Sequence, residues 1–95
     1  MNRTEANKEA RRRIAEIAEE KNITTCEIQL PGCMRTFGIA PAHRHKRDWY
    51  KGDVLLLSLF SQWVAACQPC HDKIEQSREL TEKVFLKLRP DNINL

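Results

Sequence analysis

The stretch Cys67-Gln68-Pro69-Cys70-His71 decides the fold of this chain. Two cysteines separated by two residues have the spacing with which a tight turn directs two thiolates toward one tetrahedral zinc ion, and Pro69 helps to set that turn. A structural zinc ion needs two further ligands. The stretch therefore predicts one half of a metal site whose other half lies elsewhere in the chain.

A second pair of cysteines supplies that other half. The six-residue spacing between Cys26 and Cys33 is longer than usual for a zinc knuckle, but Pro31-Gly32 directly before Cys33 predicts a chain reversal that brings the sulfurs together. We therefore expect a structural Zn²⁺ bound by Cys26, Cys33, Cys67 and Cys70. Two disulfides or unrelated buried thiols are the alternatives, and a Cys-x2-Cys pair also occurs in redox motifs.

The length of the chain explains why a metal ion would be needed. A chain of 95 residues predicts a single domain, 1–95, with a thin hydrophobic core. A structural zinc ion contributes on the order of 10 kcal/mol of binding free energy, which is also folding free energy. No stretch approaches the roughly 20 apolar residues of a membrane span, and the N-terminus lacks an apolar signal core. We expect a soluble, cytoplasmic protein that uses neither a membrane nor a small-molecule cofactor.

The excess positive charge is concentrated in residues 35–51. The net charge is +3, and basic and acidic residues nearly balance in 1–24 and 71–95. In residues 35–51, Asp48 is the single acid, and two histidines are also present. This distribution is typical of a phosphate-binding surface, with a solvated face as the alternative. The basic residues of the segment are Arg35, Arg44, Lys46, Arg47 and Lys51.

Hydrophobic periodicity and turn residues predict an α+β fold. Thr4 and Asp53 are predicted N-caps, and the leucine-rich helix after Asp53 is expected to pack in the core. Trp63 is expected in the core, whereas Trp49-Tyr50 is expected in a loop, in the core or stacked on a base. The N-terminal segment, 1–24, is predicted to contain helix 4–21. The core, 26–76, is predicted to contain an extended segment 36–45 kinked at Pro41, helix 54–60, strand 62–66 and helix 72–76. The C-terminal segment, 77–95, is predicted to contain a helix from Thr81 to Pro90 and a frayed tail.

The histidines lie in the two regions already singled out. His71 directly follows Cys70, so the knuckle fixes its ring at a helix start, where it could bind a second metal ion. His43 lies on a strand predicted to face that helix and could accept a proton from water as a general base. Phosphodiester hydrolysis needs such a base, a divalent cation and basic residues. Alternatively, His43 and His45 only bind phosphates, or His71 binds the zinc ion or a backbone carbonyl.

These motifs resemble those of a known family. Cys26-x6-Cys33, Ala42-His43-Arg44-His45-Lys46-Arg47 and Cys67-x2-Cys70-His71-Asp72 are similar to the HNH (His-Asn-His, ββα-metal) endonucleases, specifically the small zinc-knuckle members common in phages and mobile elements. The resemblance covers about residues 26–76. It implies a ββα-metal core, with the N- and C-terminal helices flanking it, and a bacterial or phage-infected host cell.

The resemblance also implies residue roles. His43 matches the general base, and His71 matches the ligand of a catalytic Mg²⁺ or Mn²⁺. Ala42 stands where the family usually has an Asp or His ligand, so His45 or Asp72 would have to assist. Gln62, or its neighbour Ser61, stands in place of the central Asn. The implied phosphate contacts are Arg44, Lys46, Arg47 and Lys51.

The first functional hypothesis is therefore a DNA endonuclease. The second is a degenerate HNH-like zinc module that binds nucleic acid or a protein partner in a phage recombination or replication complex without cutting. A third is a small adaptor that docks on a protein partner through its charged N-terminal helix. The two departures from the family pattern, Ala42 and Gln62, are the reason to retain the second hypothesis beside the first.

Overall fold

The computed structural model describes residues 2–90 of the chain, so the predicted frayed tail, 91–95, lies outside the described residues. The α+β prediction is confirmed: within residues 2–90, five α-helices accompany one two-stranded antiparallel sheet. No helix of this part of the chain has both the length and the apolar character needed to span a bilayer. The elements are α1 (Arg3–Glu20), β1 (Ala40–His43), α2 (Arg47–Tyr50), α3 (Val54–Ser58), a 3₁₀ turn (Phe60–Gln62), β2 (Trp63–Ala66), α4 (Gln68–Glu75) and α5 (Arg78–Leu88).

Helix α1 has the predicted buried face but a different cap. Its buried residues are Ala6, Ala10 and Ile14. The N-cap is Asn2, whose side chain accepts a hydrogen bond from the Glu5 amide at 2.9 Å. The prediction of Thr4 was wrong because the helix already begins at Arg3, directly after Asn2, and asparagine is at least as good a capping residue as threonine.

The charged face of α1 pairs largely with itself. Arg12 forms ion pairs with Glu9 and Glu16 at one-turn spacing, and Arg13 pairs with Glu9. The glutamates of α1 therefore offset two of its arginines within the helix itself.

The two strands pair in a register that accommodates Pro41. The pairs run from Ala40 opposite Ala66 to His43 opposite Trp63, with Pro41 opposite Ala65. The amide and carbonyl of Ala65 bond instead to Glu27, on the other side of β2. Pro41 thus occupies a non-hydrogen-bonded pair, where its missing N–H costs nothing. The extended segment is shorter than the predicted 36–45.

A first hydrophobic cluster joins the sheet to α4 and α5. Ala42, Val64, Ile74 and Phe85 are buried there together with cysteine side chains. Helix α5 begins at Arg78, capped by Ser77, whose hydroxyl accepts from the Leu80 amide at 3.2 Å. The predicted start at Thr81 was wrong because the Thr81 hydroxyl is buried and donates to the Ile74 carbonyl of α4 at 2.6 Å.

A second cluster packs α1 against α2 and α3 through Ala10, Tyr50 and Leu57. The prediction that the leucine-rich helix is wholly in the core was wrong. With only five residues, α3 turns one face toward α1, and Leu55 on the opposite face is 69% exposed. Tyr50 lies in the short helix α2, where a loop was one of the predictions, and its side chain is buried.

A buried ion pair fastens the end of α5 to the rest of the fold. Arg89 donates two hydrogen bonds of 2.8 Å to the Glu27 carboxylate, and its side chain is only 3% exposed. It also donates to the Phe60 carbonyl and lies 3.6 Å from the centroid of that ring. Glu27 in turn accepts from the Ala65 amide. The pair thus links α5, the 3₁₀ turn, β2 and the loop after Cys26.

Arg89→Met should lower the free energy of unfolding by about 3–5 kcal/mol, because it leaves the Glu27 carboxylate buried without its cation. Urea denaturation followed by circular dichroism measures this. Lys87→Met, on the exposed surface of α5, is the matched control and should change stability by less than about 0.5 kcal/mol. Equal stability of the two variants would contradict the assigned role of Arg89.

Candidate metal centre and basic cleft

The first knuckle contains the predicted reversal before Cys33. Gly32 has φ +87°, a conformation that glycine adopts without steric cost. The Cys33 amide donates to the Leu30 carbonyl at 2.9 Å, which closes the turn. The Cys26 amide donates to the Arg35 carbonyl at 2.7 Å. These bonds fold the long spacing into a compact loop that turns both sulfurs the same way.

The second knuckle is the first turn of α4. Cys67 is the N-cap residue, Pro69 lies in the first turn, and the His71 amide donates to the Cys67 carbonyl at 2.9 Å. The helix starts earlier than the predicted Asp72, because the proline has the backbone angle that a first turn requires and no amide to leave unpaired. Cys67 and Cys70 are thereby held one turn apart.

The four cysteine sulfurs converge on one point. All of them lie within 4.8 Å of one another, and the sulfurs of Cys33 and Cys67 are 3.8 Å apart. Four sulfurs at about 2.3 Å from a tetrahedral zinc ion would be about 3.8 Å apart, whereas a disulfide bond is about 2.0 Å long. All four cysteines are free. The cluster could hold a metal ion such as zinc, and the disulfide alternative is excluded in this structure.

Amide groups and burial give the sulfurs different acidities. Burial raises the pKa of Cys67, but the Met34 and Cys70 amides directed at its sulfur outweigh that effect and bring the pKa down to about 6. Burial, and to a smaller extent the neighbouring Cys67 and Cys26 sulfurs, raise the pKa of Cys70 to about 12. Four adjacent thiolates repel one another, and a divalent cation would compensate their charge.

We expect one zinc ion per chain by native mass spectrometry and elemental analysis. Cys67→Ser should remove it and unfold much of the domain, because zinc binding contributes to folding. His71→Ala is the matched control: His71 adjoins Cys70 but belongs to a separate group of potential ligands, so this variant should keep its zinc. A zinc-free native chain, or loss of zinc in His71→Ala, would contradict the four-cysteine assignment.

A cleft of about 650 Å³ opens between the end of β1 and helices α4 and α5. Both candidate catalytic histidines, His43 and His71, lie on its wall. Sequence reasoning missed Glu75 and Arg78, which contribute charges from α4 and α5. The further lining residues are Ala42, Arg44, His45, Lys46, Arg47, Ile74 and Thr81.

The ring of His43 is fixed in one orientation. Its Nε2 lies 2.8 Å from the Leu57 carbonyl oxygen, which can only accept, so Nε2 carries the proton and Nδ1 is the acceptor of the neutral ring. Its edge packs against Tyr50, with ring centroids 5.3 Å apart. Burial, and then the positive charges of Arg47 and His71, lower the pKa of His43. A neutral imidazole with a free lone pair can accept a proton.

Tyr50 and Gln62 hold the chain that follows His43. The Tyr50 hydroxyl accepts from the His45 amide at 3.2 Å and donates to Gln62 Oε1 at 3.1 Å. The Gln62 carbonyl accepts from the Arg44 amide at 2.9 Å. Gln62 is fully buried. Its side chain therefore acts inside the fold, where it fixes the loop after β1.

His71 lies in a group of oxygen and nitrogen donors on α4. The donor atoms of His71, Asp72 and Glu75 lie within 4.8 Å of one another. His71 Nε2 is 3.7 Å from Glu75 Oε1, one helical turn further along. An imidazole with two carboxylates could hold a divalent cation. The same contact between His71 and Glu75 is also an ordinary side-chain pair at one-turn spacing.

The remaining candidate residues have different positions. Arg78 lies 3.2 Å from His45 Nδ1, and the His45 ring stacks on Trp49, so His45 lies outside the donor group around His71. The Arg44 guanidinium lies over the Phe85 ring. Lys51 is exposed and does not line the cleft, and its role as a phosphate contact stays a prediction.

Comparison of the chain with protein-family models, curated proteins and solved structures gave no match.

Nuclear magnetic resonance titration of the folded protein should give His43 a pKa below 6.5, the ordinary value. The urea-unfolded chain is the control, since its histidines should titrate near about 6.5. As the pH falls, the unfolded chain binds a proton at His43 before the folded chain does. His43 should therefore lower the free energy of unfolding as the pH falls from 6.5 to its folded pKa. A folded pKa at or above the unfolded one would contradict the described burial of the ring.

Proposed function

We propose that the chain is a divalent-metal-dependent endonuclease of the HNH type, which hydrolyses DNA phosphodiester bonds. The observation that carries the proposal is the position of His43: a partly buried, oriented imidazole with a lowered pKa lines a cleft that His71 also lines. A strand pair followed by a helix that starts at a cysteine pair also agrees with the family resemblance noted from the sequence.

In this proposal His43 is the general base. Nδ1 takes the proton from the attacking water molecule, while the bond from Nε2 to Leu57 keeps the ring in place and supports the imidazolium that forms. Because its pKa is lowered, the His43 ring is neutral at neutral pH and can accept a proton. The backbone phosphates of DNA would bind to the basic side chains along the cleft, Arg44, Lys46, Arg47 and Arg78.

His71, with Asp72 and Glu75, would hold the catalytic cation. Mg²⁺ or Mn²⁺ at this position would supply neutralising charge for the phosphate and the leaving oxygen. Ala42 offers no ligand and is 1% exposed. Glu75 provides a carboxylate one turn after His71, so the helix could replace the ligand that the strand lacks. The four-cysteine cluster would hold the structural Zn²⁺.

One observation favours the second candidate, a zinc module that binds nucleic acid or a protein partner without cutting. Ala42, at the position where the resembled family has a metal ligand, is part of the hydrophobic core. The remaining donors on α4 are exposed or half-exposed, so a cation there would be held from one helix alone. The basic cleft is consistent with either function.

Supercoiled plasmid incubated with the zinc-loaded protein and Mg²⁺ or Mn²⁺ should be nicked. His43→Ala should slow nicking by about 10²–10⁴-fold, the usual contribution of a general base, while DNA affinity and zinc content stay unchanged. Lys87→Ala, on exposed α5 surface, is the control for handling and contamination. Glu75→Gln should raise the concentration of Mg²⁺ or Mn²⁺ needed for nicking, because it removes one of the proposed ligands.

Binding without nicking at any metal concentration would reject the endonuclease and support the binding module. Nicking that survives unchanged in His43→Ala would reject the assigned base.

A further inference from the structure

Trp49 lies at the rim of the basic cleft with an exposed ring. Its side chain is 46% exposed, although the chain buries its neighbour Tyr50 completely. One face stacks on His45, with centroids 4.1 Å apart and ring planes 23° from parallel. Tyr50 meets the ring edge-on at 5.0 Å. His45 thus covers one face of the indole, while nearly half of the surface of Trp49 stays exposed.

The supports of the Trp49 ring are themselves fixed. His45 is held by Arg78 at Nδ1, and Arg78 also donates to the Arg44 carbonyl at 2.8 Å. Tyr50 is held by Gln62. The indole is therefore a platform already in position, and a ring that stacks on it loses little side-chain freedom of the protein.

The charges around this platform suit a nucleic-acid backbone. Lys46 and Arg47 line the cleft just before Trp49. Asp48, the single acid of residues 35–51, forms an ion pair of 2.5 Å with Arg3 of α1. Arg3 thus offsets the negative charge of Asp48. An exposed aromatic face beside basic side chains is the arrangement with which proteins bind unpaired bases.

We infer that Trp49 stacks on an unpaired base, and that the cleft therefore binds single-stranded DNA in preference to fully paired duplex. The inference rests on the proposed nucleic-acid role of the cleft and names its substrate class. In a duplex both faces of each base are covered by neighbouring bases, so only an unpaired or displaced base can reach the indole. The duplex would contact only the basic side chains, which also bind the single strand.

Fluorescence anisotropy tests the inference with a labelled 12-nucleotide strand and the same strand annealed to its complement. The zinc-loaded full chain is used without added Mg²⁺ or Mn²⁺, so that binding is measured apart from cleavage. Native protein should bind the single strand more tightly. Trp49→Ala should weaken single-strand binding by roughly 5- to 100-fold, the usual contribution of one stacked base, and change duplex binding by less than about two-fold.

Two further variants separate stacking from structure. Trp49→Phe keeps an aromatic face and should retain most single-strand affinity, whereas Trp49→Leu keeps apolar volume without that face and should behave like Trp49→Ala. Zinc content checks that each variant is folded. Trp63 is buried, so quenching of tryptophan emission by the single strand should disappear in Trp49→Phe.

The outcomes distinguish this inference from the proposed nuclease activity. Equal affinity of native protein for both DNA forms, an equal loss for both forms in Trp49→Ala, or native affinity in Trp49→Leu would overturn the stacking role even if the protein cuts DNA. Trp49-dependent single-strand binding without any nicking would support the inference and reject the nuclease. Absence of binding to either form would overturn both.

Discussion

The convergence of four cysteine sulfurs is the constraint on which the rest of the structure depends. It joins two distant parts of the chain, the loop that begins at Cys26 and the helix that begins after Cys67. The first part places Glu27 beside β2, where it completes the sheet and receives Arg89. The second part directs α4, and with it one wall of the cleft. The cysteine cluster thus joins distant parts of a small domain that has only two modest hydrophobic clusters, and a metal ion held there would add folding free energy.

His43 lies where the two hydrophobic clusters meet. Its strand belongs to the cluster under the sheet, but its ring is bonded to Leu57 and packed on Tyr50, which belong to the cluster with α1. The orientation of this ring is therefore a property of the whole domain. Gln62 has a comparable role, because its amide and carbonyl act on the loop after β1 through Tyr50 and the backbone. Residues that are distant from His43 in the sequence thus determine the orientation of its ring in the cleft.

Local signals predicted much of this arrangement. The cysteine pairs have spacings with a direct geometric meaning, and the turn at Gly32 has the glycine that it requires. What the sequence could not provide was the partner of each long-range contact. Arg89 follows the last turn of α5, and its burial depends on a carboxylate 62 residues away, which no local pattern indicates. Trp49 and Tyr50 have similar local patterns, yet one is exposed and the other buried, because their directions follow from how α2 meets α1 and α3. Glu75 was not predicted as a site residue, although the sequence shows that it lies one helical turn after His71.

The pairing of Pro41 has a consequence for how copies of the chain meet. A two-stranded sheet has two open borders, and backbone groups on such borders can recruit strands from other molecules. On the β2 side, Glu27 occupies both the amide and the carbonyl of Ala65. On the β1 side, Pro41 lies opposite Ala65 and turns its nitrogen outward, where it has no hydrogen to donate. At this pair, therefore, neither border offers a free backbone N–H to a strand from another molecule.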